Sequence, residues 1–414
     1  MNIAQTNTGT GGLIINVYNT SVAVPLSNAE ITITNPENNT SITVTTNISG
    51  QTDIVYLPCP PIEYSLSPDM PKPFAQYNLY VNADRFISAE VEGVQIFSDI
   101  IAIQNITLLP AVTNEPDEFI EIQYPTLWGD FPEKIPESDE KPLPPETGYI
   151  VLDYPVIPEY IVVHDGSPND NSAPNYYIEF KDYIKNVASC EIYSTWPDAA
   201  IRANVLAIIS FTLNRVFTEW YRNQGKNFTI TSSTAYDQAF SYGRNIYEEI
   251  STVVDEMFTT YITRPNIRQP LFTQYCDGSR VYCPNWLSQW GSKDLAEQGY
   301  TASQILRYYY GDDIYLTQAE QVKGVPVSFP GENLQIGSTG NAVRTIQSQL
   351  NTISDTYTAI PKLRVDGIYG EATEEAVREF QRIFSMPQTG IVDFATWYRI
   401  SSIYVAIEKL AELV

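Results

Sequence analysis

The sequence predicts a multidomain chain: an N-terminal β-sandwich, a mainly helical α+β domain in the middle, and a helical domain at the C-terminal end. Three observations predict it. Up to about residue 112, apolar and polar residues alternate in short runs; from about residue 180, apolar residues recur at helical spacing; beyond residue 332, helical faces alternate with glycine-bearing turns. A length of 414 residues fits two to four domains, on a prior of roughly 150 residues each.

In residues 1–112 the runs LIINVYN (Leu13 to Asn19), AEITITN (Ala29 to Asn35), SITVTTN (Ser41 to Asn47) and NLYVNA (Asn78 to Ala83) are separated by turn-rich PENN and NISG. Even spacing and few charges suggest a seven- or eight-strand sandwich. Residues 113–153 change character: Pro116, Pro125, Pro132, Pro136, Pro142, Pro144 and Pro145 are interleaved with Glu118, Glu121, Asp130, Glu133, Glu137, Asp139 and Glu140. Such a composition buries too little apolar surface to offset its ordering entropy, and predicts an exposed linker open to proteolysis.

Residues 154–325 carry the candidate chemistry. Ile184, Val187, Ala188 and Glu191 fall at i, i+3, i+4 and i+7, so a helix there sets one carboxylate on its core-facing stripe. Pro197 and Asp198 suit the start of a second helix, whose apolar face runs through Ile201, Val205, Ile208, Ile209, Leu213, Val216, Phe217 and Trp220. Glu191 then lies at a helix–helix corner beside Trp196. A carboxyl partly desolvated at such a corner has its charged form disfavoured, the condition a general acid needs. The alternative is a glutamate that ends a helix with its head in water. A third helix is expected from about Asn245 with Ile246, Ile250, Val253, Val254 and Met257 on one face, and a further helix from a Thr301 cap.

Composition prunes the functional classes. With 24 Lys+Arg against 49 Asp+Glu the formal charge is -25, which argues against nucleic acid or an anionic membrane as partner. No run of about 20 apolar residues suggests membrane insertion, and MNIAQTNTGTGG lacks the basic and apolar parts of a secretory signal, so synthesis without Sec export is expected. Four cysteines are too few for a disulfide scaffold, although Cys276 and Cys283 are close enough to bridge if the loop between them folds back. His164 is the only histidine, which excludes multi-histidine metal sites and leaves acid–base work mainly to carboxylates.

Three sets of motifs carry resemblances. GLIINV, PLSNAEITI, SGQT and IAIQNITLLP resemble carboxypeptidase regulatory-like domains, mostly spacers or docking modules. From Ala188 to Ile314, the series ASCEIYSTWPDAAIRANVLA, STAYDQAF and LSQWGSKDLAEQGYTASQILRYYYGDDI resembles the SpoIID/LytB family of sporulation-associated peptidoglycan lytic transglycosylases. That resemblance implies Glu191 as the catalytic acid, with the family's Trp-Pro on Trp196 and Pro197 and its late motif on Ser288, Gln289, Trp290 and Gly291. Tyr193, Tyr236, Asp237 and Gln289 are the candidate substrate contacts. Where many members have His-Gly before the late motif, this chain has Cys283 and Pro284, and the zinc ligands of some members have no counterpart, so neither metal nor other cofactor is expected. LQIGSTGNAVRTIQSQL, VDGIYGEATEEAVREFQ and TGIVDFATW resemble the three-helix peptidoglycan-binding domain type 1 over residues 332–414. Val343, Ile346 and Leu350 supply one helical face, Thr373, Ala376, Val377 and Phe380 another, and Asp366 and Asp393 read as turn and cap residues.

The module order resembles the clostridial spore cortex-lytic enzymes. It implies a proenzyme stored in the spore, cortex peptidoglycan as substrate, and activation at germination by a subtilisin-like Csp protease that cuts the linker. Two other readings remain: a non-catalytic wall-binding or assembly protein that stimulates an amidase, and a muramidase that hydrolyses the same bond with water.

Overall fold

The computed structural model describes residues 8–19, 24–111, 116–141 and 154–412. The end of the expected linker, with Pro142, Pro144 and Pro145, lies outside the described residues. The first region holds β1 (Gly9–Asn19), β2 (Val24–Pro25), β3 (Glu30–Asn35), β4 (Thr40–Thr45), β5 (Val55–Cys59), β6 (Ala75–Asn82), β7 (Ala89–Ile96), β8 (Ile101–Leu108) and β9 (Glu118–Glu121). The second opens with β10 (Val156–Ile157), β11 (Tyr160–His164), β12 (Asn175–Glu179), α1 (Phe180–Glu191) and α2 (Asp198–Phe217). It continues with β13 (Ile230–Thr231), β14 (Ile246–Tyr247), α3 (Glu248–Met257), β15 (Thr260–Thr263), β16 (Tyr275–Cys276) and β17 (Leu287–Ser288). It closes with α4 (Gln289–Glu297), α5 (Ala302–Tyr310), β18 (Tyr315–Gln318) and β19 (Gln321–Val322); α6 (Asn341–Thr356), α7 (Glu371–Ile383) and α8 (Phe394–Glu412) form the third.

Strict alternation buries Leu13, Ile15 and Val17 of β1 with Ile31, Ile33, Leu79, Val81 and Val91 in one core, each side chain worth about 1.5–3 kcal/mol. One sheet runs β14-β8-β1-β2 with β5 also on β1, and the other runs β4-β3-β6-β7-β9. β1 pairs in parallel with β8 from Gly12↔Ile101 to Asn19↔Leu108. The SGQT turn needs its glycine: Gly50 has φ +71°, and a Cβ there would lie 2.6 Å from the Val17 carbonyl oxygen.

Two expectations are corrected. Residues 116–141 are not an exposed linker: β9 pairs in parallel with β7, and Ile120, Ile122 and Leu127 are buried. The prolines and acidic residues of this strap obscure three apolar anchors that borrow surfaces made elsewhere. Nor is the sandwich a free spacer, because β14 extends its sheet through Ile246↔Ile103 and Tyr247↔Ala102. Ile246 is therefore committed to a strand, and the helix expected from Asn245 begins at Glu248. Trp196 Nε1 donates to the Ser65 carbonyl at 3.0 Å, and Asn245 exchanges two 3.1 Å hydrogen bonds with the Gln95 backbone.

The second region is organised around α2. It has the length and apolarity of a membrane span, yet 89% of its most apolar 18-residue stretch is buried inside the protein, as expected for a helix covered on nearly all sides. Thr301 caps α5 with a full capping box through Gln304. Lys181 and Lys185 of α1 clasp Asp255 of α3 at 3.2 and 2.7 Å. Burial alone would raise the Asp255 carboxyl, but Lys181, Lys185 and Arg399 outweigh it and hold it well below its ordinary value. Arg399 belongs to α8, so the same cluster ties the third region to the second.

In that third region Val343, Ile346, Leu350, Thr373, Ala376, Val377 and Phe380 are buried as the helical spacing predicts. Asp366 accepts the Ile368 N–H at 2.9 Å and Asp393 accepts the Thr396 N–H at 2.9 Å, the turn and cap roles read from their positions. Gln51 of the sandwich donates to the Ile383 carbonyl at 3.1 Å, so sandwich and C-terminal helices touch directly.

Candidate active site

Glu191 is the last residue of α1, where the chain turns toward α2, and it is only 4% exposed. Its head does not reach bulk water. Oε1 accepts the Ala239 N–H at 2.8 Å and the Tyr275 hydroxyl at 3.4 Å; Oε2 accepts the Thr126 hydroxyl at 2.9 Å and the Gln289 amide at 3.1 Å. All four partners are neutral donors. A buried carboxyl satisfied this way is fixed in direction without a hydrogen-bonded counter-charge. A cavity of about 260 Å³ opens over it.

Local sequence explains each position. Ser288 caps α4 by accepting the Gly291 N–H at 2.9 Å, which places Gln289 at the first turn, aimed at Glu191. Tyr275 lies in β16, held by a 3.1 Å bond from Gln238. Burial, and then the neighbouring Glu191 charge, push the Tyr275 phenol well above its ordinary range, so it remains a donor. Cys276 and Cys283 are joined by a disulfide with Cα atoms 5.8 Å apart, closing a loop that holds Asp277 and Arg280. Asp277 braces that loop: it accepts the Val281 N–H at 2.9 Å and the Arg280 N–H at 3.0 Å.

The strap supplies the rest of the wall. Thr126, Gly129, Asp130, Phe131, Pro132, Glu133 and Lys134 all line the cavity. The Thr126 N–H donates to the Cys190 carbonyl at 2.8 Å, fastening the strap to the end of α1. The Lys134 ammonium lies 4.4 Å from the Tyr275 ring centre and 5.0 Å from that of Phe211, and donates to the Asp237 carbonyl at 2.5 Å. Burial pushes it down to about 8, against the pull of Glu191 and Asp237.

Of the expected substrate contacts, only Gln289 meets Glu191. Tyr193 is buried in an aromatic cluster, 5.2 Å from Phe97, 5.8 Å from Trp196 and 6.0 Å from Trp290, and does not line the cavity. It fixes the corner rather than offering a surface for a sugar. Asp237 is fully buried; its Oδ1 pairs with Arg215 at 2.7 Å and its Oδ2 accepts from Tyr221, Thr231 Oγ1 and the Thr231 N–H, so both oxygens are engaged inside the core. Tyr236 lies half-buried in a different groove, with Trp220 and Glu137. Sequence reasoning missed Thr126, Lys134, Ala239, Tyr275 and Arg280. The run QYC was visible as part of a loop, but nothing local marks Thr126, whose partner is 65 residues away.

His164 Nδ1 is 2.8 Å from Asn175 Oδ1, and the ring stacks on Phe228 at 4.4 Å, a packing role at the end of β11. Among the described residues no group of three or more His, Cys, Asp or Glu side chains is placed to hold a metal.

Residues 339–400 match the family described as "Putative peptidoglycan binding domain", which covers α6, α7 and the start of α8. Nothing among curated proteins matches the chain. Solved structures similar to parts of it include the SleB N-terminal domain, 30% identical over 18% of this chain and 93% of that one, with a TM-score of 0.16. Catechol 1,2-dioxygenase from Acinetobacter sp. ADP1, inhibited by mercury, is 14% identical over 29% of this chain and 60% of its own, at a TM-score of 0.19. The wild-type enzyme of Acinetobacter radioresistens is 12% identical over 27% and 58%, at 0.17. The chain spans less than two thirds of either dioxygenase, and at such TM-scores none of these likenesses bears on function. The C-terminal match indicates a cell-wall-associated protein with peptidoglycan as the partner of that domain.

Proposed function

We propose that the chain is a peptidoglycan lytic transglycosylase in which Glu191 serves as both acid and base. The observation that carries the reading is the inventory of carboxyls. Four cavity-lining residues carry one: Asp130 and Glu133 lie exposed on the strap, both Asp277 oxygens brace the disulfide loop, and Glu191 is the one buried acid free of that bracing. A hydrolase of the usual two-carboxylate kind needs a second carboxyl held in place to act as nucleophile or to activate water; a transglycosylase needs only the one buried acid. Protonated Glu191 gives its proton to the glycosidic oxygen between N-acetylmuramic acid and N-acetylglucosamine as C1 takes on oxocarbenium character. The muramic acid 6-hydroxyl then closes on C1 and returns its proton to Glu191, leaving a 1,6-anhydro end. Gln289 and the Ala239 N–H aim the carboxyl throughout.

The SpoIID-like motif series supports the catalytic assignment, and the wall-binding domain supports the polymer. The module order, similar to that of the clostridial spore cortex-lytic enzyme SleC, extends the reading to a spore-located proenzyme cut by a subtilisin-like Csp protease at germination. The full chain, intact and cut at an engineered protease site between residues 142 and 153, each with and without a thiol reductant, is incubated with purified spore peptidoglycan and the fragments are weighed. Anhydro-muramic ends are expected. Reducing ends would indicate a muramidase, and no cleavage by any of these forms would indicate a binding or assembly protein.

A further inference from the structure

We propose that residues 126–134 are a plug in the Glu191 cleft, and that the disulfide-closed loop Cys276–Cys283 is the latch that holds it, through Arg280. The inference rests on Glu191 marking the substrate cleft. Arg280 reaches across to the strap and spends its guanidinium on one turn: Nη2 donates to the Thr126 carbonyl at 2.8 Å, and Nη1 to those of Trp128 and Gly129 at 3.2 and 2.9 Å. A planar fork with several fixed donors suits such a grip, and a lysine could not reproduce it. The loop that presents Arg280 is short, with seven residues of separation between its cysteines, and Asp277 ties its interior backbone. Closing a loop this way restricts the conformations open to it.

What the grip holds in place obstructs the cleft. Seven of the fifteen lining residues belong to the strap, and the Thr126 hydroxyl occupies Glu191 Oε2, one of the two oxygens that could carry the proton. The remaining volume of about 260 Å³ is below the roughly 300–1,000 Å³ typical of sites that enclose a drug-sized ligand, whereas a glycan needs sugar rings on both sides of the bond to be cut. Anchors beyond the plug belong to the same fold: β9 is paired in the sandwich sheet, Gln274 donates to the Ile135 carbonyl at 2.9 Å, and Glu137 pairs with Arg215 at 2.6 Å. A cut between residues 142 and 153 breaks none of these. Backbone cleavage alone therefore leaves the plug seated, and opening the disulfide is the step that frees Arg280: one thiolate of an external thiol reductant breaks the Cys276–Cys283 bond to form a mixed disulfide, and a second displaces it, leaving two cysteine thiols and the reductant as its own disulfide. Tyr282, next to Cys283, is 85% exposed, so the loop lies within reach of a thiol reductant.

The test separates access from catalysis by using the full chain carrying Glu191→Gln and a GlcNAc-MurNAc tetrasaccharide, with binding measured by calorimetry and strap protection by amide hydrogen exchange. Adding Arg280→Ala, or Cys276→Ser with Cys283→Ser, is expected to speed exchange over 126–134 with α2 still protected, and to tighten tetrasaccharide binding about tenfold or more as the open fraction rises. Arg280→Lys should behave like Arg280→Ala. Unchanged exchange and unchanged affinity in Arg280→Ala, with the fold intact by circular dichroism, would overturn the latch. Because neither readout needs turnover, the latch can stand or fall independently of whether the Glu191 form of the chain yields anhydro ends.

Discussion

Glu191 and Asp237 are both buried carboxyls of the same domain, 46 residues apart in sequence by their numbers, yet the fold uses them in opposite ways. Asp237 faces a guanidinium, and each of its oxygens is filled from within the core. Glu191 faces an amide, a backbone N–H and two hydroxyls, with a cavity in front of it. Burial is therefore a poor guide to chemistry. A carboxyl locked to a cation is a structural joint, because moving its proton would leave the partner's charge unpaired in a low-dielectric interior. One held by neutral donors can exchange a proton at smaller cost and still keep its aim.

The comparison would break first at Glu191. Glu191→Gln is expected to lower anhydro-muropeptide release by about 10²–10⁴-fold while the urea midpoint stays near that of the parent, since the amide keeps the shape. A large loss of stability without loss of rate would make Glu191 the structural member of the pair. Asp237→Asn should do the reverse: about 1.5–3 kcal/mol of unfolding free energy is lost as Arg215 gives up its fully buried partner and keeps only Glu137, read from urea denaturation, with rate per folded molecule unchanged.

Lys134 feels the charge of both carboxyls and sharpens the contrast through pH. Its folded value is lowered to about 8 from 10.5, so between those values the unfolded chain binds a proton that the folded chain has released, and stability rises with pH across that window. The gain is at most about 3 kcal/mol, less because part of the side chain faces the cavity. In Lys134→Met the slope between pH 8 and 10.5 should flatten in thermal melts. The smallest effect expected is at Thr126→Val, which removes one neutral donor from Glu191. About 1 kcal/mol of stability is lost, and exchange over the strap quickens; a loss as large as that of Asp237→Asn would erase the distinction between the two sites.

Much of this architecture was legible because it is local. The apolar spacing that ended at Glu191, the Pro197–Asp198 start of α2, the Thr301 cap and the turn at Asp366 each depend on residues within one or two helical turns, and all are where the spacing put them. The Glu191 corner was visible for the same reason. Two of its partners were not: Ala239 and Tyr275 lie 48 and 84 residues beyond it, while Gln289, 98 residues beyond, was marked only by the motif resemblance.

Composition misled at the strap. Proline and acidic residues correctly predict a stretch that cannot form a core of its own, but Ile120, Ile122 and Leu127 gain burial from surfaces that exist only once β7 and the neighbouring region have folded. The same holds for β14, whose pairing with β8 depends on an edge more than 140 residues earlier. The sequence alone determined the long helices, the first strands of the sandwich and the turns between them, and which carboxyl ends a core helix, because short-range sterics and periodicity decide those. Only the tertiary structure decided that Asp237 is a joint, that Thr126 and Lys134 close over Glu191, and that one arginine on a disulfide loop holds them there, because those outcomes depend on which distant surfaces meet when the domains pack together.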